Sequence, residues 1–158
     1  MNLSDQDLSL ITDSKFLLAK VEVTSKINGL MEATRSELQA LLGSSDFVFP
    51  SDVNLSHGKI SRGEFYKSLP YFVLDYPASF SKKDIFAFRT MFWWGNFFSC
   101  TLHLQGLYLD EHRDSLVKNA GLLLGEDLYI GVGDTPWEYH YETDNYQTQV
   151  DASRLKLH

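Results

Sequence analysis

The chain has 158 residues, of which 44% are hydrophobic, with a formal charge of −7 and one cysteine. This length and apolar content predict a single globular domain over residues 1–158, and the acidic charge without a Lys/Arg cluster argues against nucleic-acid binding. The lone Cys100 excludes an intrachain disulfide framework. With no long apolar run and no secretory signal, we expect a soluble, cytoplasmic protein with no membrane partner.

Residues 1–43 are predicted to be helical. Ser4 followed by Asp7 resembles a capping box, and Gly43 is typical of a helix end. The β-branched run at 21–24, with Asn28-Gly29 after it, leaves open one long helix or two shorter ones. The apolar residues recur at spacings of three, four or seven, which predicts one buried stripe: Phe16, Val23, Ile27, Leu30, Met31, Leu38 and Leu41.

Residues 44–68 are predicted to be a connecting loop region, because Ser, Asp and Gly interrupt every short apolar pair. One short strand is expected near 59–62. The polar residues His57, Lys59 and Arg62 could close over a ligand, or they could belong to a solvated loop.

Residues 69–142 are predicted to form a sheet with an inserted helix. A strand over 70–76 ends at Pro77, a hairpin follows around Gly95-Asn96, and a helix near 110–120 begins at Asp110. Short strands are expected at 127–132 and 137–142, with 143–158 as a C-terminal tail. The fold class is therefore α+β, with one or two N-terminal helices packed on a mostly antiparallel sheet of about five strands and one further helix between strands.

A two-residue turn at Gly95-Asn96 would pair Trp94 with Phe97 and so fix two faces of the hairpin. One face is nearly all apolar and is expected to pack on the helices: Ile85, Ala87, Arg89, Met91, Trp93, Phe98, Cys100, Leu102 and Leu104. The other is half aromatic and half hydrogen-bonding: Phe86, Phe88, Thr90, Phe92, Trp94, Phe97, Ser99, Thr101, His103 and Gln105.

The aromatic face is the candidate site, because monomers rarely expose so large an apolar patch. Its cover would be the chain's own helix and loop, a second copy, or a small ligand held by stacking and hydrogen bonds. The candidate surface residues are Phe88, Arg89, Phe92, Trp94, Thr101 and His103.

Arg89 needs a partner if it lies among apolar side chains. Asp75 on the neighbouring strand and a bound anion are the two alternatives.

Catalytic signatures are absent from the sequence, so catalytic residues and cofactor stay unknown. Glu138, His140 and Glu142 would share one face of a strand. They could form a solvated polar face or a group that transfers protons. No metal site is predicted. Cys100 is expected to be an inert buried thiol.

The sequence therefore predicts a non-catalytic binding or interaction module, self-associating as a homo-oligomer through the aromatic sheet face. The alternative is an enzyme or small-ligand binder for an anionic molecule, with Arg89 or His57 as anion anchor and His103 or His140 as acid/base.

Overall fold

The structure is a computed structural model that describes residues 2–119, 122 and 128–148. The helices are α1 (Asp5–Thr12), α2 (Ser14–Gly43) and α3 (Leu107–Asn119). The strands are β1 (Lys59–Tyr66), β2 (Leu69–Phe80), β3 (Ile85–Trp93), β4 (Phe98–Gln105), β5 (Ile130–Gly131) and β6 (Tyr146–Gln147). The predicted α+β class is confirmed, with helix α3 inserted between strands.

The N-terminal helices begin at two side-chain caps. The predicted capping box is confirmed: Ser4 Oγ accepts from the Asp7 amide at 3.2 Å, and the Asp7 carboxylate accepts from the Ser4 amide at 2.8 Å. The chain breaks at Asp13, whose carboxylate accepts from the Phe16 amide at 3.0 Å and starts α2. Of the two alternatives left open at 21–29, the structure has no break there, because α2 runs through Asn28-Gly29 as one helix of 30 residues.

Strands β1 to β4 form one antiparallel sheet in the order β1-β2-β3-β4. Strand β1 covers Lys59–Tyr66, so the strand expected near 59–62 is present and longer. Strand β2 continues through Pro77 to Phe80, although Pro77 was predicted to end it. Pro77 lies beyond the last pair of the ladder with β1, which joins Lys59 and Asp75, so its missing N–H removes no bond of that ladder.

The chain divides into two compact units, residues 1–78 with 88–101, and residues 79–87 with the part after 101. In the first unit the core contains Met31 of α2 and Phe72, Leu74 and Tyr76 of β2. The partly buried side chains around it are Ile27, Leu38, Leu42, Ile60 and Phe92. The second half of α2 therefore covers the sheet, as predicted for an N-terminal helix, whereas Phe16, Leu30 and Leu41 of the predicted stripe are 49–64% exposed.

Tyr76 gives this core a dependence on alkaline pH. Its hydroxyl donates to the Leu55 carbonyl at 2.7 Å. Burial raises the pKa of the Tyr76 phenol above its ordinary value of 10.0, although the charge of Arg35 opposes the shift. The folded protein holds this proton more tightly than the unfolded chain does. The contribution of Tyr76 to the free energy of unfolding is therefore fully present below pH 10 and decreases as the pH rises above 10.

We expect the free energy of unfolding to fall less steeply above pH 10 in Tyr76→Phe than in the wild type. Urea denaturation at several pH values would measure both slopes, and taking the difference removes the contribution of the other tyrosines. Identical slopes would contradict the assignment.

In the second unit, the turn after β2 is tied to the start of α3. The Leu107 amide donates to Asp84 Oδ1 at 2.9 Å. Gly106 has a φ of 61°, and a Cβ added there would lie 2.5 Å from the Lys83 carbonyl oxygen. The close approach of Gly106 to Lys83 therefore requires glycine. Helix α3 begins at Leu107, three residues before the predicted start at Asp110.

The C-terminal strands are shorter than predicted. Of the strand expected at 127–132, residue 127 lies outside the described residues and only Ile130–Gly131 is paired, with Tyr146–Gln147. The strand expected at 137–142 is wrong, because adjacent Tyr139 and His140 are both 7% exposed and the alternation of faces is lost. The predicted tail contains β6, and its residues 149–158 lie outside the described residues.

Among the described residues, no helix combines the length and apolar character needed to cross a membrane. The prediction that the whole chain is one domain stays a prediction.

Candidate interaction surface

The hairpin turn has three residues rather than two. The Trp93 amide donates to the Phe97 carbonyl at 3.0 Å, and the Asn96 amide donates to the Trp93 carbonyl at 3.1 Å. Gly95, with a φ of 72°, takes the third position of the turn, where a positive φ is needed. Trp93 therefore faces Phe97, and the predicted pairing of Trp94 with Phe97 is wrong.

The corrected register exchanges the faces of β4. Thr90 Oγ1 lies 3.9 Å from Cys100 Sγ, and the rings of Phe92 and Phe98 are 4.6 Å apart. Since side chains alternate along a strand, Phe88, Phe92, Phe98 and Cys100 share one side of the sheet, while Arg89 and Thr101 lie on the other. The predicted site residues are thus divided between two sides.

The chain's own helix covers part of the aromatic side. Phe92 packs against the core built by Met31, Phe72 and Leu74, so the side bearing Phe92 is the one that α2 covers. Phe98 is 48% exposed and Cys100 is also exposed. The expectation that Phe98 and Cys100 are buried against the helices is therefore wrong, and the uncovered apolar surface lies at β4.

Strand β4 is an edge of the sheet, and in the part of the chain that the structure describes no strand pairs with its outer side. Its sequence, FSCTLHLQ, holds neither Pro nor Lys, Arg, Asp or Glu, which commonly protect edge strands from pairing. The opposite edge, β1, carries Lys59, Arg62 and Glu64 and a register irregularity between Gly63 and Tyr66. We call Phe92, Phe98, Cys100 and the outer edge of β4 from Phe98 to Thr101 the β4 edge surface.

The remaining aromatic candidates lie beside this surface. The Trp94 ring is 5.4 Å from the Phe92 ring, and the Trp94 amide donates to the Pro70 carbonyl at 3.0 Å. Trp94 and Phe88 are half-buried. The turn therefore holds Trp94 against β2 next to Phe92.

Arg89 is paired with Asp75, one of its two predicted partners. Its Nε donates to Asp75 Oδ1 at 2.6 Å and its Nη2 donates to Oδ2 at 2.9 Å, with both side chains 13% exposed. Both carboxylate oxygens are engaged by the planar fork of the guanidinium. The Asp75 alternative is confirmed.

The histidines lie at separate places in the chain. His57 is exposed, with its Nδ1 2.6 Å from Ser56 Oγ. His103 follows Thr101 on the same side of β4, is 9% exposed and belongs to the second unit, where its ring lies 5.0 Å from Trp137.

His140 lies among three carboxylates. Its Nδ1 is 3.3 Å from Glu138 Oε2, and its Nε2 is 3.6 Å from Asp144 Oδ1. His140, Glu142 and Asp144 each offer a ligand atom within 4.8 Å of the others, but Glu142 and Asp144 are exposed, and such acidic groups are common without a metal. The predicted Glu138, His140 and Glu142 face is replaced by a turn that adds Asp144.

Comparison of the chain with protein-family models, curated proteins and solved structures finds no match.

The sequence interpretation missed Phe98 as an exposed residue, because the wrong turn length placed it on the buried face. The absence of charge from the whole of β4 was a signal that could have identified the strand as a pairing edge.

Proposed function

We propose that the chain is a non-catalytic interaction module that self-associates through the β4 edge surface. The observation that carries the proposal is Phe98, which is 48% exposed on an uncharged edge strand while its ring contacts Phe92. Large aromatic side chains anchored in this way are enriched at protein interfaces.

A second copy suits this surface because an edge strand can pair with itself. Two β4 strands related by a two-fold axis would run antiparallel and satisfy each other's backbone N–H and C=O groups. The same pairing would bury Phe98 of each copy. The contact thus combines backbone hydrogen bonds with apolar burial.

The alternative, an anionic ligand held by Arg89 or His57 with His103 or His140 as acid/base, has less support. Two N–H groups of Arg89 already donate to Asp75. His57 lies next to Ser56 on an exposed loop, where its Nδ1 is already within 2.6 Å of Ser56 Oγ.

The test is to replace Phe98 with Asp. A charge at a position that the pairing buries would weaken this contact, so we expect a smaller assembly at equal protein concentration, with the dissociation constant for this step raised about 100-fold. Sedimentation velocity over a concentration series measures both quantities.

The matched control is Phe65→Asp, because Phe65 is 83% exposed on the charged edge strand β1. We expect this variant to sediment like the wild type. A wild-type protein that is monomeric at every concentration, or a Phe98→Asp variant with an unchanged profile, would overturn the proposal.

A further inference from the structure

The first part of α2 carries an exposed stripe with heptad spacing. Phe16, Val23 and Leu30 are seven residues apart, and Ala19 and Ala33 each follow one of these residues by three. All five are exposed. Apolar residues at these two positions of a heptad form the seam along which two helices pack. We call these five residues the α2 stripe.

Exposed apolar side chains are frequent along the N-terminal helices. Ten large ones between residues 3 and 30 are 37–70% exposed: Leu3, Leu8, Leu10, Ile11, Phe16, Leu17, Leu18, Val21, Val23 and Leu30. Of these, Phe16, Val23 and Leu30 lie on the α2 stripe.

The charges beside the α2 stripe are self-complementary. Lys15 and Glu22 are seven residues apart, so they border the stripe on the same side of the helix. In an antiparallel helix pair centred between residues 18 and 19, Lys15 of each copy faces Glu22 of the other. The same centre places Phe16 about 3 Å along the helix axis from the small Ala19 of the second copy.

We propose that residues 14–23 of α2, which carry Phe16, Ala19 and Val23 of the α2 stripe, pack antiparallel against the same residues of a second copy of this chain. This contact goes beyond the pairing of β4 and does not depend on it. With both two-fold contacts the assembly is larger than a dimer. Glu22 is also bonded to Lys26 of its own helix, at 2.5 Å.

An anionic membrane suits the α2 stripe less well than a second copy of the chain does. The protein has a formal charge of −7, and residues 1–23 contain two lysines against four acidic residues. Helices that bind anionic lipid surfaces are rich in Lys and Arg on their polar side.

Cysteine cross-linking tests the geometry directly. In a Cys100→Ser background, we compare Ala19→Cys with Ala33→Cys, two exposed alanines of the same stripe. Along the helix axis, the proposed pairing places the two copies of residue 19 about 1.5 Å apart and those of residue 33 about 43 Å apart. With diamide as oxidant, we expect Ala19→Cys to form the disulfide dimer at least about tenfold faster.

The outcome is independent of β4. Ala19→Cys should cross-link equally well when Phe98→Asp is added, so failure of either contact can be recognised separately. Equal cross-linking of Ala19→Cys and Ala33→Cys would overturn the antiparallel pairing. Absence of cross-linking at both positions would overturn the helix contact, whether or not the protein then binds vesicles of neutral and anionic phospholipid.

A charge exchange tests whether the partner is a second copy. In the Phe98→Asp background, Lys15→Glu should raise the dissociation constant about tenfold by placing like charges together. Lys15→Glu with Glu22→Lys should restore it, because both halves of each pair are then reversed. Failure of the double variant to restore association would overturn the pairing.

Discussion

Replacing Asp75 with Ala is expected to lower the free energy of unfolding by about 3 kcal/mol. The change removes the carboxylate to which Arg89 Nε and Nη2 donate, at a position where both side chains are only 13% exposed. The guanidinium then stays on the sheet without the charge that offset its desolvation. Urea denaturation followed by circular dichroism measures the loss.

The matching control replaces the pair as a whole. Asp75→Leu with Arg89→Met leaves no buried charge and should recover most of the lost stability, because apolar replacements of buried ion pairs are often neutral or stabilising. If Asp75→Ala costs less than about 0.5 kcal/mol, as a surface substitution would, the ion pair does not stabilise the sheet.

Leu74→Ala should have an effect of similar size for a different reason. Leu74 is fully buried among Met31, Phe72 and Tyr76, so truncation leaves a cavity between α2 and the sheet. Such substitutions cost about 2–5 kcal/mol, and the urea midpoint should fall accordingly.

Leu41→Ala is the matched control, because Leu41 lies on α2 but is 64% exposed. It should change the free energy of unfolding by less than about 0.5 kcal/mol. Equal losses for the two variants would contradict the assignment of the core to Leu74.

Local signals predicted the parts of the fold that depend on neighbouring residues. Ser4 and Asp7 cap α1 as expected, because a capping box is complete within four residues. The break at Asp13 was missed, although its carboxylate caps α2 by the same chemistry. A break near Asn28-Gly29 was left open instead. The helix is stabilised there because Ile27 and Met31, which flank this pair, pack in the core against the sheet.

The candidate site depended on one turn, and there the sequence was ambiguous. Gly95 can occupy the first position of a two-residue turn or the third position of the turn that begins at Trp93, and both need its positive φ. The choice moves every side chain of β4 to the opposite side. The partner of Arg89 could be predicted without knowing the turn length, because Asp75 lies on β2 and Arg89 on the neighbouring strand β3.

The hydrogen bond between Leu107 and Asp84 determines where insertions in the chain between these two residues can be tolerated. It joins residues 23 apart in sequence, and Gly106 leaves no room for a side chain at that corner. Both ends of the intervening hairpin are therefore anchored at one point. Extra residues can be accommodated at its exposed tip near Asn96, whereas an insertion between Gln105 and Leu107 would detach α3 from its starting point.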